Sequence, residues 1–171
     1  LKTAEWVILW LDYRNKLPRI SAQKINSSGI ALWPEGGVNT ANEGAMQEKF
    51  CATLSADGEL VLAWQDRRGG NYDIYAQKIS GSGALGLGDA GLVVNAVAGS
   101  VIHQNASLID AGGGNIIIVF EDARSGFFNI YAQKISREGV LLWGSSGIPA
   151  AKVKANQRSP QVVPDGAGGA F

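Results

Sequence analysis

The chain has 171 residues, of which 46% are apolar, which suits one domain with a sizeable core and excludes a disordered class. Fifteen Lys and Arg balance fifteen Asp and Glu, so no net field draws nucleic acid or an anionic membrane. The longest apolar runs, such as Ile116 to Phe120, fall far short of the roughly 20 residues that span a bilayer. One Cys excludes an internal disulfide framework, and one Cys with one His supplies no zinc cluster.

In chain order, the first predicted element is a strand ending in WLDYR, Trp10 to Arg14, and the octet RISAQKIN, Arg19 to Asn26, follows as the second. Gly29 opens the segment GIALWPEGGV, which carries Trp33 and Gly37, and a short strand is expected from Val38. ANEGAMQEKF is the best attempt at a helix, weakened by Gly44. An alternating strand begins at Gln47 and holds Cys51, whose thiol is expected to be buried and inert. The turn SADGE leads into ELVLAWQD, a β-rich run bounded by turn signals, as expected of a strand buried on both faces. RRGGN joins that run to YDIYAQKIS as a hairpin, and GLVVNA is the fourth short strand.

The same order then recurs. DIYAQKIS, Asp73 to Ser80, and NIYAQKIS, Asn129 to Ser136, are identical at seven of eight positions, and RISAQKIN is a worn copy. Aligned on Ile25, Ile79 and Ile135, the copies lie 54 and 56 residues apart. An aromatic, an aspartate and an arginine recur at the same spacings as Trp10, Asp12, Arg14, then Trp64, Asp66, Arg68, then Phe120, Asp122, Arg124. Gly29, Gly83 and Gly139 each precede a second glycine by eight residues, at Gly37, Gly91 and Gly147. Gln47, Gln104 and Gln157 begin the alternating stretches, and Phe171 falls where Trp10, Trp64 and Phe120 fell.

Short antiparallel strands recurring every 40 to 50 residues or so point to propeller blades. The expected fold is therefore all-β, about three four-stranded antiparallel β-propeller-like blades with a period near 55 residues, and a β-sandwich is the alternative. The chain reads as one segment, 1–171, in approximate units 1–46, 47–103 and 104–156 with a partial unit 157–171. Propellers take about 4 to 8 blades, so three imply a piece of a longer protein or chains that associate into a ring or stack.

The run from Gln104, QNASLIDAGGGNIIIVFEDARSGFFNIYAQKISREGVLLWGSSGI, resembles the blade repeats of large secreted and cell-surface bacterial proteins. WQDRRGGNYDIYAQKI and QRSPQVVPDGAGGAF match the middle and the start of that pattern. Departures are Ser21 in place of the tyrosine and Leu87 in place of the closing tryptophan of Trp33 and Trp143. The resemblance implies an extracellular or cell-surface location and a propeller fold, and it leaves function open.

Repetition argues for structure at the Asp-x-Arg pairs and at Gln23, Gln77 and Gln133 with Lys24, Lys78 and Lys134, since a catalytic constellation occurs once. Trp33 and Trp143 follow turn glycines and are candidates for stacking on a sugar, against core packing. Phe127 and Phe128 are adjacent in the hairpin SGFFN, so one of them should face solvent or a partner. The non-repeated acids Glu5, Glu43, Glu48 and Asp89 have no spacing that joins them, DAGGGN and DGAGG lack the residues of a phosphate loop, and no run has the ligands of a calcium loop. The reading is a non-enzymatic extracellular scaffold or protein-interaction module built from propeller blades, with no cofactor or metal, and a carbohydrate-binding propeller as the alternative. Its expected partner is a protein or a second copy that covers open blade edges, with glycans under the alternative.

Overall fold

Glycine turns and Asp-Gly turns cut the sequence into strands of about eight residues, each too short to bury its apolar side alone. The computed structural model describes residues 4–41, 46–97, 99 and 101–171; the helical attempt around Gly44 and the acid Glu43 lie outside them. The described strands are β1 (Glu5–Asp12), β2 (Arg19–Asn26), β3 (Val38–Asn39), β4 (Gln47–Leu54), β5 (Leu60–Asp66), β6 (Asp73–Ile79), β7 (Leu92–Val93), β8 (His103–Asp110), β9 (Ile116–Asp122), β10 (Asn129–Ile135) and β11 (Ile148–Ala151). They form three antiparallel sheets in the orders β1-β2-β3, β4-β5-β6-β7 and β8-β9-β10-β11. We number these sheets 1, 2 and 3.

Register follows from the repeated hairpins. Leu60 to Asp66 pair with Ile79 back to Asp73, and Ile116 to Asp122 pair with Ile135 back to Asn129. Alternation then gives each sheet two faces. On β5 one face carries Leu60, Leu62 and Trp64, here called the leading face, and the other carries Val61, Ala63 and Gln65, the trailing face.

The trailing face of sheet 1, with Val7, Leu9, Leu11, Ile20 and Ala22, packs on the leading face of sheet 2. The trailing face of sheet 2, with Val61, Ala63, Ile74 and Ala76, packs on Ile116, Ile118, Phe120, Tyr131 and Ile135, the leading face of sheet 3. Every residue of β5 and β9 is therefore buried. β1 has the same place in its sheet, but Trp6 and Ile8 on its leading face are half exposed.

The glycine eight residues after the turn now has a physical reason. Gly37, Gly91 and Gly147 all have positive φ, and a Cβ on Gly147 would lie 2.5 Å from the Ala132 carbonyl oxygen. A Cβ on Gly91 would lie 2.7 Å from the Trp64 ring. No side chain fits there, because the loop crosses directly over the β-strand backbone.

The propeller expectation is overturned. The chain forms three open sheets of three, four and four strands, none of them closed into a barrel or propeller, and with three layers it is not a two-sheet sandwich either. Closure requires the last sheet to cover the leading face of the first, and that face of sheet 1 is bare. The functions read from that architecture, an extracellular scaffold of propeller blades and a carbohydrate-binding propeller, fall with it.

Two alignments also change. His103, not Gln104, stands opposite Asp122 as Gln47 stands opposite Asp66, and its N–H donates to Tyr72 O as those of Gln47 and Gln157 donate to Pro18 O and Phe128 O. Pro164 bridges Ala170 as Leu54 pairs with Leu60, which puts Phe171 at the place of Val61 rather than of Trp64.

Candidate functional site

The repeated octet is a set of joints, and its glutamine and lysine have distinct tasks. In sheet 2, Gln77 Oε1 accepts the N–H groups of Lys78 (3.0 Å) and Leu87 (2.7 Å), while its amide donates to Gly88 O (2.7 Å) and to Thr40 O of sheet 1's segment (3.2 Å). Gln133 repeats this with Lys134, Trp143, Gly144 and Val94. Gln23 binds Lys24, Trp33 and Pro34 in the same way within its own unit. Removing such a buried amide leaves backbone donors and acceptors unpaired, so Gln77→Ala is expected to cost about 2 kcal/mol by urea unfolding, with an unchanged value counting against this role.

The lysine beside it points the other way. Lys78 is buried, and its Nζ donates to the carbonyls of Gly114 (2.6 Å), Ser136 (3.2 Å) and Arg137 (3.1 Å) on the next sheet. Burial draws its pKa down. Lys134 reaches Gly168 O, and Lys24 pairs with Glu5 at 2.6 Å.

The Asp-x-Arg pairs close the hairpins. Asp66 accepts the backbone N–H and Nε–H of Arg68 and the indole N–H of Trp64, and Arg68 also donates to Ala90 O and lies 4.0 Å over the Tyr75 ring. Arg124 does the same with Asp122, Ser146 O and Tyr131. Arg14 binds Asp12 and Gly36 O, but Ser21 offers it no ring. The Arg14 hydrogen bond holds the Asp12 carboxyl at about 2.

The candidate aromatics part company. Trp33 is buried between sheets 1 and 2, with its indole N–H on Gly81 O. Trp143, at the same place in sheet 3, is partly buried against Ile117, Val119, Ala132 and Val162. It lines an apolar cleft of about 280 Å³ with Ile130, Ile148, Ala150 and Phe171. Phe127 is exposed and lines a cleft of about 380 Å³ with Lys152, Val153 and Lys154, whereas Phe128 lies under the Arg158 guanidinium at 3.6 Å. Glu5 is taken by Lys24 and Glu48 by the Tyr72 hydroxyl. Burial pushes the Cys51 thiol up to about 11, so it is not a nucleophile at neutral pH. Among the described residues, no group of three His, Cys, Asp or Glu side chains is placed to hold a metal ion.

Sequence reasoning missed three joining residues. His103 is fully buried between sheets, its Nδ1 3.0 Å from Asp73 of β6 and its Nε2 3.2 Å from Asp122 of β9. The second contact lies off the line of a hydrogen bond and becomes an ion pair when the ring is protonated. Glu121 is also buried and gathers Gln104, Asn105, Arg158 and the Ser159 N–H. Its counterpart Gln65 accepts the Asn105 N–H. Both take the N–H of a residue with positive φ, a feature repeated at Lys49, Asn105 and Ser159, of which Lys49 and Asn105 sit in β-bulges. The alternation in QEKFCATL and HQNASLID carries a break at these bulges that could have located them.

Comparison with family models, with curated proteins and with solved structures finds no match.

Proposed function

We propose that the chain is a sheet-stacking module whose partner is a second copy, bound by the leading face of sheet 1. One observation carries this. Trp6, Ile8 and Trp10 occupy the positions of Leu60, Leu62 and Trp64 and of Ile116, Ile118 and Phe120, which are buried under the trailing face of the sheet before them. A contiguous apolar strip on a soluble monomer is a docking surface or an aggregation liability. The surface it suits is the trailing face built to the same pattern, and the uncovered part of that face in sheet 3 holds Trp143, Ile148 and Phe171. The contact is head to tail and reuses an interface that the chain already makes twice.

Faces rather than edges supply the contact in this reading. Bulges at Lys49 and Asn105 and the two-residue strands β3 and β7 blunt the edges they occupy. Sedimentation velocity over a concentration series is expected to show species above 18.0 kDa, reduced to the single chain by Trp6→Lys with Ile8→Lys. A wild-type chain that stays at 18.0 kDa up to millimolar concentration would overturn the reading.

A further inference from the structure

The end of sheet 1 differs from the ends of the other two sheets in one way that does not depend on self-association. At the start of the third-position strand, β2, β6 and β10 carry Arg19, Asp73 and Asn129, each paired across the hairpin with Asp12, Asp66 and Asp122. Asp73 meets His103 of the following sheet, and Asn129 donates to Val153 O and Ala155 O. Arg19 has a buried Nε with no acceptor among the described residues. Gln47, the counterpart of His103 at this junction, is fully buried, and its amide nitrogen likewise has no acceptor. Where the second junction has a carboxylate, the first has two donors with no acceptor among the described residues.

Arg19 lines a polar pocket of about 210 Å³ together with Asp12, Arg14, Asn15 and Asn39. Both oxygens of Asp12 are already engaged by Arg14, and the amide oxygen of Asn39 accepts the Ser21 hydroxyl. What the lining offers a ligand is therefore mainly donors, the Arg19 and Arg14 guanidinium groups and the amide nitrogens of Asn15 and Asn39, beside the Asn15 amide oxygen. Two guanidinium charges face one carboxylate. A planar guanidinium recognises a carboxylate or phosphate through parallel N–H bonds, and the pocket's volume suits one such group.

We propose that this pocket binds a small oxyanion, a carboxylate or a phosphate-type group, with Arg19 as its principal ligand and Arg14, Asn15 and Asn39 completing the shell.

The test uses the whole chain and the Arg19 Nε–H resonance. Inorganic phosphate and acetate are titrated in separate arms at constant ionic strength held with chloride, and a saturating shift in either arm supports the site; the arm that saturates names the group. Arg19→Asp, which installs the acid of the neighbouring sheet, is expected to keep the dispersed amide spectrum. It should also weaken binding at least tenfold, read from the Asn15 and Asn39 side-chain amides. Arg19→Lys keeps the charge without the fork and should bind less tightly than wild type. If the Arg19 resonance follows ionic strength alone, or if Arg19→Asp binds as wild type does, the assignment is wrong.

Discussion

Trp64→Ala is expected to destabilise the chain by about 4 kcal/mol, and Trp10→Ala by about 1 kcal/mol or less, although the two residues hold the same repeat position. Trp64 is fully buried between sheets 1 and 2, stacks on Tyr75 at 6.0 Å and donates its indole N–H to Asp66 at 3.0 Å. Truncation removes the largest side chain of that layer, opens a cavity and takes one donor from a buried carboxylate. Trp10 is only partly buried, under the Gly37 loop and with no sheet over it, so solvent can fill part of the space its ring leaves. Urea unfolding followed by circular dichroism, at a concentration where the chain is a monomer, reads both costs. Equal costs would mean that burial by a preceding sheet is not what distinguishes the two positions. At higher concentration the Trp10→Ala cost should rise if a second copy covers that face.

The contrast between these tryptophans shows what the sequence could and could not reveal. The strands, their hairpins and the burial of β5 and β9 were readable, because β-rich runs between turn residues leave little choice of local structure. The spacing of Gly91 and Gly147 was readable as a pattern, but its cause, a carbonyl and a ring too close for a Cβ, exists only once strands and loops are stacked. Closure was not readable. Whether sheets curl into a ring depends on the angles between layers, and Trp6, Ile8 and Trp10 look as apolar as their buried counterparts. His103 was missed because matching Gln47 to Gln104 by identity overrode the spacing of 56 residues that leads to His103. Phe171 was misplaced for the same reason, with an aromatic matched to aromatics across a turn whose register says otherwise. Arg19 was passed over inside the worn octet, where its departure from Asp73 and Asn129 reads as decay and not as a change in what the sheet end can hold.

As pH rises above about 6.5 the wild-type chain is expected to lose stability through His103, and His103→Gln is expected to remove that slope. The imidazole faces Asp73 on β6 and Asp122 on β9; Arg124 also engages Asp122, and the edge of the ring contacts Phe120. Burial opposes a charged ring, but the nearby carboxylates, Asp122 at 3.2 Å and the hydrogen-bonded Asp73, outweigh it and raise the pKa above 6.5. A group with a raised folded pKa contributes its full stability below the unfolded value of about 6.5 and loses it as pH rises through the folded value. Asp122 works in the opposite sense. Burial disfavours its charge, yet His103 and Arg124 hold it at about 2, so its contribution is present above 3.8 and fades as pH falls through about 2. The ion-paired form therefore dominates the junction of sheets 2 and 3 at mildly acid pH, between about 3.8 and 6.5. Glutamine is the residue that sheet 2 carries at this place, so His103→Gln should fold while giving up the charge. His103→Leu leaves two carboxylates facing an apolar group and should cost about 3 kcal/mol or more near pH 6. This is the only histidine in the sequence, so its ring protons can be followed without ambiguity. An imidazole that titrates below 6.5, or a wild-type unfolding midpoint with the same pH slope as His103→Gln, would show that the ring packs between the sheets without clamping them.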